Sequence, residues 1–228
     1  CDTGFAVIAY GKLGGIELGY GSDLDIVFLH SNESEGRQTD GERPVDNAVF
    51  YARMAQRIIH ILGTRTPAGV LYEVDTRLRP SGASGLLVSG LDAFAAYQGN
   101  EAWTWEHQAL VRARGVAGDP AVIDAFERIR RAILGRPRDP DKLRQEVREM
   151  RERMRTQLAK GGVEKFDLKQ DAGGIADIEF MVQYGVLAWA HAHPALLDFT
   201  DNIRLLERLA QAGRLPPADA DLLADAYR

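Results

Sequence analysis

Ser22-Asp23-Leu24-Asp25-Ile26-Val27-Phe28-Leu29 sets two carboxylates at the head of a continuous apolar run. A short apolar run next to turn residues reads as a buried strand, here Leu24 to His30. Side chains two apart on a strand point to the same face, so Asp23 and Asp25 project together from one strand end. Upstream, Gly11-Lys12-Leu13-Gly14-Gly15 follows another apolar run, Phe5 to Tyr10, and opens a turn and short helix over Leu13 to Leu18. Downstream, Glu73-Val74-Asp75-Thr76-Arg77-Leu78-Arg79 lies in a predicted strand from Val70 to Leu78 and brings a third carboxylate. Three converging carboxylates with a glycine-rich turn are what a magnesium–nucleoside triphosphate site needs.

The rest of the chain reads as a frame for that site. Ser31 to Arg43 is polar and predicted to be a mobile loop. Pro44 is placed at the start of a helix that Gly63 ends, with Val45, Val49, Ala52, Ala55, Ile59 and Leu62 at helical spacing. Ser84 to Ser89 reads as a strand beyond the Pro80-Ser81-Gly82 turn, and from Leu91 onward the pattern is almost wholly helical. Leu143, Val147, Met150, Met154 and Leu158 form one apolar helix stripe, and breaks fall at Arg136 to Pro140 and at Lys160-Gly161-Gly162. The expectation is an α+β chain: a small αβ domain with a mixed sheet over residues 1 to 90, then an α-helical domain over residues 91 to 228.

Composition bounds the partners. At 228 residues, 45% hydrophobic and 27% charged, the chain has the make-up of a soluble globular protein. A net charge of −5 lacks the basic surplus of a nonspecific nucleic-acid binder. No apolar run reaches membrane-spanning length, and no signal-peptide pattern is present. The one cysteine, Cys1, excludes an internal disulfide framework and fits a reducing cytoplasm. The first residue is not Met and Asp221 to Arg228 reads as an unfinished helix, so the chain is expected to be a piece of a longer protein.

Each candidate residue has a plain alternative. Ser22-Asp23-Leu24-Asp25 is either a metal-binding edge or a solvated turn, although an unpaired charge at the edge of a buried strand is costly. On the predicted strand Glu73, Asp75, Arg77 and Arg79 share one face, so the arginines either hold phosphate or pair with the acids. Gly11, Gly14 and Gly15 either offer backbone N–H groups to phosphate or only permit a tight turn, and Lys12 is either a phosphate contact or solvated. In Asp171-Ala172-Gly173-Gly174-Ile175-Ala176-Asp177, the carboxylates either complement a helix N-terminus or, with Lys169, serve the cleft. Trp103 and Trp105 are read as interdomain core in preference to a base-stacking platform. His191 and His193 lack the spacing of a zinc helix.

Gly14-Gly15, Asp23-Leu24-Asp25 and Asp75 together match the pattern of the polymerase-β-like nucleotidyltransferase superfamily. Gly11 through Asp25, Glu73 through Gly82, Asn100 through Leu110 and Asp177 through Phe180 resemble, within it, the glutamine synthetase adenylyltransferases/adenylyl-removing enzymes, and more closely their carboxy-terminal, adenylylating half. The resemblance implies transfer of AMP from ATP to a tyrosine hydroxyl of glutamine synthetase, with release of pyrophosphate. It implies Asp23, Asp25 and Asp75 as catalytic ligands of two magnesium ions. Gly14, Gly15, Ser22, Lys12, Arg77 and Arg79 would bind nucleotide, and Glu73, Lys169, Asp171 and Asp177 would support them. Glutamine and the PII signalling protein are implied as effectors. The phosphorolytic, AMP-removing activity of the other half, or a silent nucleotide- or PII-binding domain, are the other readings.

Overall fold

A computed structural model of the chain describes residues 4–31, 36–158 and 166–228. Cys1, part of the expected 31–43 loop and the expected break at Lys160-Gly161-Gly162 lie outside the described residues, as does the side chain of Leu158. In chain order the elements are β1 (Phe5–Ala9), α1 (Gly11–Gly14), β2 (Leu24–His30), α2 (Asn47–Gly63), β3 (Arg65–Thr66), β4 (Gly69–Val70), β5 (Val74–Asp75) and β6 (Val88–Gly90). They continue with α3 (Leu91–Asn100), α4 (Thr104–Val111), β7 (Arg114–Gly118), α5 (Pro120–Leu134), α6 (Pro140–Leu158), α7 (Ile175–Trp189), α8 (Asn202–Gln211) and α9 (Pro217–Tyr227). They form two compact units: Cys1–Ala102 with Arg112–Arg130, and Trp103–Val111 with Arg131–Arg228.

The first unit is built on β2. One edge of β2 pairs antiparallel with β1, which pairs antiparallel with β7. The other edge is shared: β5 joins its first residues in parallel and β6 joins its last residues in parallel. Buried on both faces, β2 is apolar throughout except at Asp25 and His30, as a strand in this position must be. Leu24, Ile26 and Phe28 form a core with Tyr51 and Ala55 of α2, and Val74 of β5 packs onto the same cluster. Phe94 of α3 and Phe126 of α5 bury a second apolar contact, with ring centroids 5.8 Å apart.

Five expectations are corrected. The helix assigned to Pro44 begins at Asn47, because the Asp46 side chain accepts from Ala48 N–H at 2.8 Å and caps it. The strand expected from Val70 to Leu78 breaks into β4 and β5, and the strand expected from Ser84 to Ser89 shrinks to β6. The region beyond Leu91 is not wholly helical, since β7 returns to pair with β1. Trp103 and Trp105 are exposed, at 71% and 37% accessible, while Glu106 and Gln108 are the buried residues of that turn. Glu106 accepts from Trp103 N–H at 2.9 Å, which satisfies a donor at the start of α4.

The second unit is helical. α7 packs against α4, α6 and α8, and α8 packs against α9. Leu143 and Val147 of the predicted α6 stripe are buried, with Ile178, Val182 and Val186 of α7. Arg138 ties this unit together without a carboxylate. It donates to the carbonyls of Ile133 and Leu134 at 3.0 Å, of Arg136 at 3.0 Å and of Leu187 at 3.4 Å. Ile133, Leu134 and Leu187 lie in the last turns of α5 and α7, where carbonyls lose their intrahelical donors. Burial, with Arg136 nearby, pushes its pKa down to about 10. Arg138→Met is expected to destabilise the helical unit by about 3 kcal/mol, since several acceptors lose their donor at once. Urea unfolding followed by helical circular dichroism measures this, and an unchanged midpoint would contradict it.

Candidate active site

The parallel register of β2 and β5 sets Leu24 beside Val74 and Asp25 beside Asp75. Val74 and Leu24 face the α2 core, so Asp25 and Asp75 share the opposite face. Asp23, just ahead of the strand, is exposed. The Leu24 N–H donates to the Glu73 carbonyl at 2.8 Å and fixes this pairing. The register therefore brings Asp25 and Asp75 side by side, with Asp23 two residues ahead of Asp25. Glu73 is exposed, lies outside the two-residue β5, and contributes its backbone to the pairing.

The Asp75 carboxylate is engaged. It accepts from the Arg77 backbone N–H at 2.8 Å and from Arg77 Nε at 2.8 and 3.0 Å. The first contact is an Asx-type turn, which takes the chain out of the sheet after Asp75. The Arg77 hydrogen bonds hold the Asp75 carboxyl below the usual carboxylate range, against some desolvation. Arg79 does something else. Its guanidinium donates to Thr76 O and Oγ1 at 2.8 Å, to Ala83 O at 3.0 Å and to Gly85 O at 3.2 Å. These bonds staple the 76–85 loop. The shared strand face expected for Arg77 and Arg79 does not form, and Arg79 has its donors committed to the loop.

The glycine turn is likewise committed inward. Gly14 N–H donates to Tyr10 O at 2.8 Å and Gly15 N–H to Gly11 O at 2.9 Å, so neither amide is offered at a helix start. These glycines are needed for close approach instead. A Cβ on Gly14 would stand 1.9 Å from Arg112 O, and one on Gly11, where φ is +52°, would stand 2.2 Å from Asp25 Oδ2. Lys12 and Ser22 are brought together, with Nζ 3.4 Å from Oγ, and Gly19 N–H donates to the same hydroxyl at 3.3 Å. Sequence reading missed Arg112 and Arg114. Buried Arg112 pairs with Glu17, and Arg114 donates to the Leu13 and Gly14 carbonyls at 3.0 Å. Both fix the α1 turn from about a hundred residues away, a separation that leaves no local signal.

Lys169, Asp171 and Asp177 belong to the helical unit. Asp177, in the first turn of α7, accepts from Arg151 Nε and Gly173 N–H, each at 2.6 Å. Asp171 accepts from Asp167 N–H at 2.7 Å, and the exposed Lys169 gives its carbonyl to Ala176 N–H at 3.1 Å. These bonds help close the chain ahead of α7.

For a divalent cation, the donors of the sheet site fit in kind: hard carboxylate oxygens from adjacent strand positions. In this conformation they are not gathered around one point, and no group of three or more ligating side chains is closed for a metal among the described residues. At Asp75 the oxygens are engaged by Arg77.

A small mixed sheet carrying these acids, followed by helices, is a nucleotidyltransferase architecture. The chain belongs to the glutamate-ammonia ligase adenylyltransferase family, whose model matches residues 1–129. Residues 141–228 match a second model, that of the GlnD PII-uridylyltransferase. Over its whole length the chain is 66% identical to a bifunctional glutamine synthetase adenylyltransferase/adenylyl-removing enzyme of Nitrosococcus oceani, of which it covers 23%. Proteins of the same name from Thioalkalivibrio sulfidiphilus and Pseudomonas syringae pv. tomato are 65% and 59% identical, with 23% and 24% of their lengths covered. The chain therefore spans about a quarter of the length of these relatives. No helix among the described residues is long and apolar enough to cross a membrane.

Proposed function

We propose that this chain transfers AMP from ATP to a tyrosine hydroxyl of glutamine synthetase and releases pyrophosphate, in the cytoplasm. The observation that carries the reading is the register that sets Asp25 beside Asp75, with Asp23 just ahead of the strand, in a chain of this family. The sheet unit is the catalytic domain. Asp23, Asp25 and Asp75 would hold magnesium, which when bound supplies positive charge against the α-phosphate and the leaving pyrophosphate. Lys12 and Ser22 lie at the turn before these acids and would meet the triphosphate, with Arg77 the arginine best placed to join them. Gly14 and Gly15 keep that turn close to the sheet. Asp75 takes the tyrosine proton as the hydroxyl oxygen bonds to the α-phosphorus and the bond to pyrophosphate breaks. The remaining catalysis is positioning and charge neutralisation. Glutamine and the PII signalling protein act as effectors, and nucleic acid is not a substrate, in keeping with the net charge of −5.

Incubation with glutamine synthetase, labelled ATP and magnesium tests this. Labelled AMP on a tyrosine with release of pyrophosphate supports it. Phosphate-dependent release of AMP from adenylylated glutamine synthetase would instead assign the reverse activity. Binding of nucleotide or PII without either reaction would make the domain regulatory.

Asp75 and Glu73 separate under mutation. Asp75→Ala is expected to keep ATP binding, because Asp23, Asp25 and the glycine turn remain, and to lose AMP transfer by roughly a hundredfold or more. Glu73→Ala is expected to lower transfer only a few-fold, roughly the loss of one exposed charge, since its side chain is exposed and only its carbonyl serves the strand pairing. ATP affinity and AMP transfer measured for both variants decide it, and a reversed pattern would reject the assignment.

A further inference from the structure

Arg77 is an exposed side chain, 79% accessible, that nevertheless closes onto Asp75, which is 21% accessible. Its Nε reaches both carboxylate oxygens, its terminal nitrogen reaches Oδ2 at 2.5 Å, and its backbone N–H adds a contact to Oδ1 at 2.8 Å. One residue thus fills both oxygens of the third carboxylate with a fork of donors. Asp25 stands beside Asp75 in the strand register, so the guanidinium closes on the acids that a divalent cation would use. A cation ligated by Asp75 needs the oxygens Arg77 now holds.

We propose that Arg77 is a built-in counter-ion for the third carboxylate, and that a divalent cation enters the site by displacing it. The inference rests on the reading of Asp23, Asp25 and Asp75 as metal ligands. Partners are exchanged: the carboxylate goes to the cation, and the freed guanidinium goes to phosphate oxygens of the nucleotide. Arg77 is a positioning residue that keeps Asp75 charged, aimed and out of use until both ligands are present. Cation and triphosphate then favour one another's binding, by equal factors in both directions.

Manganese binding to the 228-residue chain, followed by the loss of the free-ion electron paramagnetic resonance signal, tests this without any turnover. Arg77→Ala is expected to bind manganese roughly fivefold more tightly than the wild type, on the scale of removing one competing surface ion pair. Arg77→Lys should fall between them, because it keeps the charge and loses the fork. The exposure of Arg77 makes both variants tolerable to the fold, which circular dichroism checks. Asp25→Asn should weaken binding in either background. Equal or weaker binding by Arg77→Ala, with binding still lost in Asp25→Asn, would overturn displacement and leave the metal assignment standing. No manganese binding by wild type and Arg77→Ala alike would reject the metal assignment and the displacement with it. Tighter binding by Arg77→Ala that persists with Asp25→Asn would put the ion elsewhere and also overturn the proposal.

Discussion

Asp25→Asn is expected to abolish AMP transfer, by roughly a thousandfold or more, and to leave the sheet unit folded. The substitution keeps the shape of the side chain and removes one negative oxygen. Asp25 lies within β2, whose neighbours β1 and β5 hold it through backbone pairs the change does not touch. Its backbone carbonyl accepts from Tyr10 N–H at 2.8 Å, a bond that also survives. What disappears is the charge beside Asp75. A site whose work is charge neutralisation cannot spare it. Labelled AMP incorporated into glutamine synthetase, with circular dichroism as the control for folding, reads the outcome. Labelling near the wild-type level would end the assignment of Asp25 to the reaction.

Gly14→Ala is expected to destabilise the sheet unit by about 4 kcal/mol, at the upper end of what single substitutions do. A methyl group at Gly14 would meet Arg112 O at 1.9 Å and Ala9 O at 2.8 Å. Both are backbone atoms, so neither can swing aside as a flexible side chain would. Relief requires α1 to lift from the sheet, which costs the Arg114 bonds to the Leu13 and Gly14 carbonyls as well. Gly41→Ala is the matched control, since a methyl group there meets nothing within 4 Å. It should be neutral or slightly stabilising through the unfolded chain. Urea midpoints for the two variants give the comparison, and equal midpoints would show that the α1 turn has more room than its geometry implies.

Sequence reading reached the strand pair and the acids because those signals are local. An apolar run must be buried, and residues two apart on a strand must share a face. The same alternation failed at Arg77 and Arg79. Asp75 bonds its own chain two residues on and ends the strand, and period-two patterning cannot anticipate a side chain that captures a nearby backbone N–H. The strand β7 escaped notice for a related reason. Arg114-Gly115-Val116-Ala117-Gly118 has little apolar content, and it pairs because β1 lies open beside it. Trp103 and Trp105 misled in the other direction, since large aromatic residues suggest burial while Glu106 and Gln108 are the buried residues of that turn.

The four bonds from Arg79 all end within residues 76–85. The loop after the third acid is thus a self-contained cassette, shaped by one of its own side chains and borrowing nothing from the sheet for that purpose. The exit from β5 is set separately, by the Asp75 turn onto Arg77 N–H, so the loop's shape and the chain's departure from the sheet rest on different side chains.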